Sequence, residues 1–305
     1  MAVIRAFPVA ALFVPGLLAC QTNDMPDNEV LPTPYPEFFA FSGAGLQGFE
    51  LVRTEEGVQH VIYESPVRGF VTAYIIDTGT GGPLPAAIYL HPSGSGRTSQ
   101  IDEARQLAAQ GYVVMLIDSP KVRPDAWRIS EDHAIPNHNR DIYRQHIIDT
   151  RRGIDLLAEQ SSVDASRISV IGKNIGGGFA GILSGVEGRV GTFVIQAAIP
   201  ELGKFWPTMA HPTADAFRAR VGQERLEEHA LETAVTDALN YVDLRADKRV
   251  LYQWGEHDDW LTREQAQEMV DRTTGEVTSI WYDDGHGLTS QAVVGDYIRW
   301  LTQQE

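Results

Sequence analysis

The 305-residue sequence predicts an α/β fold in which a mainly parallel central sheet is flanked by helices. The first reason is that short apolar runs typical of buried strands alternate along the chain with stretches of helical apolar spacing. The second is the length together with an ordinary globular composition, 43% apolar and 22% charged residues, which suits one larger α/β domain or two small ones. The formal net charge of −16 disfavours a surface that follows phosphates, so no nucleic-acid partner is expected.

The first half of the chain begins this alternation. Two β-like runs, VQHVIYES and FVTAYIID, come before a turn rich in glycine and proline. The next strand runs into a glycine-rich loop, AAIYLHPSGSG, and is followed by a helix that ends at Gly111, SQIDEARQLAAQG. This half is completed by a strand, YVVMLIDSP, a loop to about residue 139, and a second helix, DIYRQHIIDTRRGIDLLAEQ.

The second half continues the same pattern. A strand is predicted at RISVIG, and it runs directly into a helix that begins with glycines, KNIGGGFAGILSG. Another strand is predicted at VGTFVIQAAIP, and residues 201–240 are predicted to be a mostly helical, lid-like insertion. The final strand, helix, strand and closing helix are predicted at RVLYQWGEHDDW, TREQAQEMVDR, VTSIWYDDGHG and TSQAVVGDYIRWL.

The N-terminal segment has the features of an export signal rather than of a folded element. One basic residue, Arg5, precedes an apolar run from Ala6 to Ala19 that is too short to span a bilayer comfortably. The end of this run, LLAC, resembles the lipobox of bacterial lipoproteins. That resemblance implies that residues 1–19 are a signal peptide and that Cys20 is lipidated. The alternative is an ordinary cleaved signal that ends in cysteine.

The segment after the signal is expected to connect an anchor to a domain. Cys20 is the only cysteine of the chain and therefore cannot form an internal disulfide. Lipidation of Cys20 would hold the protein at a membrane without a spanning helix, and Gln21 favours the outer membrane if the lipoprotein sorting tendency holds. Residues 21–36 are rich in Pro, Asn and Asp, which predicts a flexible tether. Residues 37–305 are then predicted to form a single domain on the periplasmic or surface side.

The run RISVIGKNIGGGFAGI combines a strand, a glycine turn and a helix. Gly172, Asn174 and Gly176 fall on the pattern G-x-S-x-G, so the run resembles the nucleophile elbow of the α/β-hydrolase superfamily. The preceding VDASRISVIG is similar to the dienelactone hydrolase and prolyl oligopeptidase branches. The resemblance covers roughly residues 60–300 and implies an α/β-hydrolase fold with carboxylic-ester or related acyl hydrolysis. Two residues depart from it: Asn174 stands at the position of the serine nucleophile, and Lys173 stands where His or Trp is common.

The resemblance also implies the other residues of such a site. In this superfamily the nucleophile, the acid and the histidine occur in that order along the chain. The order implies that the acid is Asp258 in GEHD, with Asp259 as the alternative, and that the histidine is His286 in DDGHG. One oxyanion donor is the amide of Ile175, which follows the nucleophile position. Pro92 has no N–H, so the second donor is expected from Ser93 or Gly94, unless this loop is a simple glycine turn.

Asn174 leaves four hypotheses open. A carboxamide has no ionisable proton for a base to remove and cannot form an acyl-enzyme as serine does. The chain could therefore be a non-catalytic protein at the membrane surface that binds a ligand or partner, or His286 oriented by Asp258 could activate water directly. Ser93 or Ser95 could serve as a displaced nucleophile. Deamidation could convert Asn174 to an aspartate, although a bulky following residue slows attack by the backbone.

The expected ligand is a small ester or acyl compound. No cofactor is expected. His133 and His138 lie in EDHAIPNHNR and His257 adds a third imidazole, but no compact metal-ligand spacing exists, so no metal site is expected.

Overall fold

A central mixed sheet organises the protein in the computed structural model, which describes residues 30–79 and 82–303. In this part of the chain nine strands follow the spatial order β1-β2-β3-β5-β4-β6-β7-β8-β9. They are β1 Glu50–Glu55, β2 Val58–Glu64, β3 Phe70–Ile76, β4 Leu84–Leu90, β5 Val113–Ile117, β6 Val163–Lys173, β7 Val190–Gln196, β8 Arg249–Gly255 and β9 Glu276–Tyr282. The first three strands and the β3–β5 pair are antiparallel, whereas all pairs from β5 to β9 are parallel. The predicted α/β class with a mainly parallel sheet is confirmed.

Helices cover both faces of this sheet. They are α1 Ile101–Ala108, α2 His138–Ala158, α3 Ile175–Val186, α4 Leu202–Thr208, α5 Pro212–Val221, α6 Gln223–Thr233, α7 Arg263–Arg272 and α8 Gln291–Thr302. Successive strand residues point to opposite faces, so Ile88 packs in one core cluster with residues of α2 and α3. Tyr89 packs in the other cluster with residues of α1 and α8. This two-sided burial explains why the parallel strands are continuous apolar runs in the sequence.

The insertion between β7 and β8 is helical, as predicted. Helices α4, α5 and α6 are followed by two 3₁₀ turns, Ala234–Thr236 and Ala238–Asn240. Helix α4 contacts α5 and α6. These three helices therefore form one small unit beside the carboxyl ends of the strands.

Several element boundaries differ from the prediction. Strand β1 was not predicted because all six of its residues are exposed and give no alternating apolar signal. Helix α2 begins at His138, before the predicted start, and β6 begins at Val163. Leu31, which lies in the segment predicted as a tether, is buried in the same core cluster as Phe38 and Phe39. The division into a tether and a domain stays a prediction.

The predicted signal peptide and Cys20 lie outside the described residues and stay predictions. Within residues 30–79 and 82–303, no helix combines the length and apolar character needed to cross a membrane.

Candidate active site

A sharp turn joins β6 to α3 and presents Asn174 at the carboxyl edge of the sheet. Strand β6 ends at Lys173 and α3 begins at Ile175, so Asn174 alone makes the turn, with φ 56° and ψ −119°. The two flanking glycines are required sterically. A Cβ on Gly172 would lie 2.1 Å from the Gly176 carbonyl oxygen, and one on Gly176 would lie 2.1 Å from the Leu90 carbonyl oxygen. The tight turn predicted from the sequence is thus present.

The carboxamide of Asn174 is hydrogen-bonded at both ends. Its Nδ2 donates to Nε2 of His286 at 2.5 Å. Its Oδ1 accepts from the backbone N–H of Ser93 at 3.1 Å. The backbone N–H of Asn174 donates to the Gln196 carbonyl at 2.9 Å, which fixes the turn against the end of β7. The side chain therefore connects the loop after β4 to the loop after β9.

His286 and Asp258 form a hydrogen-bonded pair beside Asn174. The carboxylate Oδ2 of Asp258 lies 2.8 Å from Nδ1 of His286. The other oxygen, Oδ1, accepts from the backbone N–H groups of Trp260 at 2.8 Å and Leu261 at 3.0 Å, and only 4% of the side chain is exposed. The amide nitrogen of Asn174 donates and cannot accept, so Nε2 of His286 is the acceptor, and Nδ1 carries the hydrogen that faces Asp258.

The alternative acid, Asp259, makes no hydrogen bond or ion pair with the imidazole of His286 in the described structure. Its side chain is 68% exposed, and the nearest ion-pair partner is His211 at 3.6 Å. The geometry therefore places Asp258, rather than Asp259, in the position that orients His286.

The loop after β4 lies opposite His286. Besides the Ser93 amide, Gly94 borders the same space, and Ile175 is the first residue of α3, where backbone N–H groups have no partner within the helix. The hydroxyl of Ser95 points elsewhere, since it donates to the Pro92 carbonyl at 2.8 Å. The structure thus brings the predicted oxyanion residues to Asn174, while Ser93 contributes its amide to the observed contact.

His91 supports this loop, a role that the sequence analysis missed. Its Nε2 accepts from the Ser119 amide at 3.1 Å, and its Nδ1 lies 2.9 Å from the Pro92 carbonyl. Burial lowers the pKa of His91, so the imidazole is neutral at pH 7 and can accept and donate at once. A histidine directly before the glycine loop is the signal that could have identified it.

A cavity of about 690 Å³ opens above Asn174. The lid insertion and the loop after β8 supply an apolar wall of Leu202, Phe205, Trp206 and Trp260. The rings of Phe205 and Trp260 stack with centroids 5.6 Å apart and an interplanar angle of 6°. The predicted insertion therefore does border the candidate site.

The other end of the cavity is polar. Lys121 and Glu131 form an ion pair at 3.0 Å, and the Tyr143 hydroxyl donates to Glu131 at 2.8 Å. Burial alone would raise the pKa of Glu131, but Lys121 and the Tyr143 hydrogen bond outweigh it and lower the pKa. Lys173 also borders the cavity, and its ammonium donates to the Leu288 carbonyl at 3.1 Å.

A second, polar chamber of about 400 Å³ adjoins the loop after β4. It shares Ser93, Lys121 and Glu131 with the cavity above Asn174. Two of its buried lining atoms, Ser119 Oγ and His146 Nδ1, have no hydrogen-bond partner among the described residues. Such atoms are satisfied when water or a hydroxylated ligand enters the chamber.

The remaining histidines singled out in the sequence lie apart in different contacts. His133 packs edge-on against Phe217, Nε2 of His138 lies 2.8 Å from the Ser130 carbonyl, and His257 pairs with Asp283 at 2.7 Å. Among the described residues, no three His, Cys, Asp or Glu side chains are grouped as metal ligands would be.

Comparison with known proteins gives the fold. No protein-family model matches the sequence, and no curated protein matches it. An acetyl xylan esterase from a Paenibacillus species is 19% identical with a TM-score of 0.68, over 85% of this chain and 88% of that protein. Acetyl xylan esterase 1 from a Thermoanaerobacterium species is 18% identical with a TM-score of 0.67, over 92% and 99%. A Pyrococcus furiosus esterase is 16% identical with a TM-score of 0.59, over 88% and 93%.

The strand order, the glycine turn after β6 and these structural similarities define the class. The chain has the α/β-hydrolase fold, as the resemblance of its RISVIGKNIGGGFAGI run implies. A shared fold does not establish chemistry, so the activity depends on what Asn174, Asp258 and His286 can do where they lie.

Proposed function

We propose that the encoded protein is related to carboxylic-ester hydrolases and binds a small ester or acyl ligand above Asn174 without forming an acyl-enzyme. The observation that carries this proposal is the double contact of the Asn174 carboxamide. Its side-chain N–H donates to the acceptor nitrogen of His286, and its side-chain oxygen accepts from the backbone N–H of Ser93. The nitrogen lone pair of an amide is delocalised, so Asn174 does not attack a carbonyl as serine would.

The ligand class is supported by the shape and chemistry of the cavity. The aromatic wall formed by Phe205, Trp206 and Trp260 suits a short acyl chain. The polar chamber beside Ser119 and His146 suits the alcohol part of an ester. The names of the structural neighbours, acetyl xylan esterases among them, agree with an acyl ester as ligand.

The proposal includes a lineage and a location. The VDASRISVIG run supports the dienelactone hydrolase and prolyl oligopeptidase-like branch. The LLAC run supports export and lipid anchoring through Cys20 to a bacterial membrane. Of the two bacterial membranes, we propose the outer membrane.

Direct water activation is the second candidate, and the Asp258–His286 pair favours it. The 2.8 Å contact and the two amide donors to Asp258 are the arrangement that orients a catalytic imidazole. In the structure, however, Nε2 of His286 accepts from Asn174 and would have to leave that partner to accept a proton from water.

Hydrolysis of p-nitrophenyl acetate and butyrate separates these candidates. The chain lacking residues 1–20 keeps every described residue and is assayed as the native sequence, as Asn174→Ser, and as Asn174→Ser combined with His286→Ala. Intact mass first verifies that residue 174 is still asparagine. Loss of a serine nucleophile costs on the order of 10⁶ in kcat, so we expect Asn174→Ser to gain at least about 10²-fold and the double variant to lose that gain.

Binding is measured separately on the native sequence. Ethyl butyrate should change the fluorescence of the tryptophans that border the cavity, Trp206 and Trp260, while no butyrate is released. Native turnover that disappears in His286→Ala would support water activation and contradict the binding proposal. Labelling of the native protein by a fluorophosphonate at Ser93 or Ser95 would identify a displaced nucleophile instead.

A further inference from the structure

The side-chain amide of Asn174 lies in its own site as a substrate amide would lie in a hydrolase. Its carbonyl oxygen, Oδ1, accepts at 3.1 Å from the Ser93 amide, which is one of the oxyanion donors expected from the sequence. Its nitrogen, Nδ2, lies 2.5 Å from Nε2 of His286, where a leaving group would receive a proton. We propose that this site hydrolyses the amide of Asn174 itself and converts the residue to aspartate.

The reaction consumes one water molecule and releases ammonia. Nε2 of His286 first releases the Asn174 N–H and accepts from a water molecule instead. This water then adds to Cγ of Asn174 while Nε2 takes a proton from it, and the negative charge that develops on Oδ1 is held by the Ser93 amide. The imidazolium then gives the proton to Nδ2, the Cγ–Nδ2 bond breaks, and ammonia leaves. The product is an aspartate carboxylate at position 174, whose acid proton converts ammonia to ammonium. No oxidant, metal or cofactor takes part.

The residues that support His286 are already in place for this step. Asp258 accepts from the imidazole and is itself fixed by the amides of Trp260 and Leu261, so it stabilises the imidazolium that forms. Asn174 lines the cavity of about 690 Å³, which is large enough to hold water beside its side chain.

The product is favoured by its position at the beginning of α3. Asn174 is the residue immediately before the first turn of this 12-residue helix. Its side chain makes no capping hydrogen bond in the structure, and a negative charge at this position would interact favourably with the helix dipole. A carboxylate beside His286 is also a nucleophile, so the conversion would give the site a reactive group that the gene does not encode.

This route differs from ordinary deamidation through the backbone. In the ordinary route the N–H of Ile175 attacks Cγ, and the cyclic product opens to both aspartate and isoaspartate. Hydrolysis by His286 leaves the backbone untouched and gives aspartate alone. The two routes therefore make different products and depend on different groups.

The proposal goes beyond ligand binding and is tested without any ester. The full chain is incubated at neutral pH in ordinary water and in ¹⁸O-water, and the peptide that contains Asn174 is followed by mass spectrometry. We expect a gain of about 1 Da in ordinary water and about 3 Da in ¹⁸O-water, with aspartate as the only product. Asn240, whose amide donates to the Ala234 carbonyl at 3.0 Å, is the control within the same molecule and should keep its mass.

Variants assign the conversion to the site. His286→Ala and the more conservative His286→Gln should each slow it by about 10² or more, and Asp258→Asn should slow it to a smaller extent. An unmodified Asn174 in the incubated native protein would overturn the proposal. Isoaspartate as a major product, or equal conversion in the folded His286 variants, would assign the change to the backbone and overturn it as well. Neither result bears on ester binding, which is read from fluorescence.

Discussion

Replacing Asn174 by glycine and by alanine measures the backbone strain of the turn. Both variants lose the two carboxamide hydrogen bonds, so that loss cancels in their difference. Alanine keeps a Cβ at φ 56° and ψ −119°, a conformation that costs a residue other than glycine about 1–3 kcal/mol. Glycine loses about 0.4–1 kcal/mol through the greater freedom of its unfolded chain. We therefore expect Asn174→Gly to be more stable than Asn174→Ala by about 1–2 kcal/mol.

Urea unfolding at equilibrium measures this difference in the free energy of unfolding. The slope of that free energy against urea should be the same for both variants, while the midpoint is higher for glycine. In a chain of this size, the difference corresponds to roughly 2–8 °C in Tm. Ala158→Gly, at the last residue of α2, is the control and should have the opposite sign, since glycine lowers helix stability by up to about 1 kcal/mol. Equal or greater stability of Asn174→Ala would refute the claim that the turn is strained.

Two further predictions concern packing and protonation. Gly176→Ala places a Cβ 2.1 Å from the Leu90 carbonyl oxygen, so it should lower the free energy of unfolding by more than about 3 kcal/mol in urea melts. Gly188→Ala is the control: a Cβ there meets nothing within 4 Å and should change the free energy of unfolding by less than about 1 kcal/mol. Burial raises the pKa of Asp237 from 3.8 to about 8. Between these two pH values the folded protein keeps a proton on Asp237 that the unfolded chain releases. The free energy of unfolding that this bound proton contributes is therefore lost as pH rises from about 4 to 8. Urea melts across that pH range should show a steeper loss of stability with rising pH in the native protein than in Asp237→Asn. Parallel plots of unfolding free energy against pH for the two proteins would contradict this prediction.

The fold and the meeting of the site residues could be predicted because a parallel sheet constrains both. The apolar runs identify strands, and the carboxyl ends of parallel strands gather at one edge of the sheet. Asn174, Asp258 and His286 each follow such a strand, so their order along the chain was enough to predict that they meet. The two contacts of the Asn174 carboxamide could not be predicted, because they depend on a rotamer and on a loop that is distant in sequence.

Contacts between residues in irregular segments could not be predicted, because such segments have no repeating apolar pattern. Lys121 and Glu131 lie in an irregular segment after β5, and the position of that strand end is enough to predict that the segment approaches the cavity. The segment has no apolar period, so the sequence does not indicate that these two side chains pair. Leu31 and the exposed Val30 form a short apolar pair among prolines and polar residues, with no repeat that would indicate a buried element, yet Leu31 is buried in the core cluster that includes Phe38 and Phe39. Tertiary packing, rather than local preference, decides both.

The burial of Leu31 limits how far the domain can move from a membrane. With the acyl chains that we propose on Cys20, only residues 21–30 remain between the anchor and the packed chain. A fully extended chain spans at most about 3.6 Å per residue, so this segment reaches no more than roughly 40 Å. A globular domain of this size is itself roughly 50 Å across. The near side of the anchored domain would therefore stay within one domain width of the lipid surface, whatever the orientation of the domain.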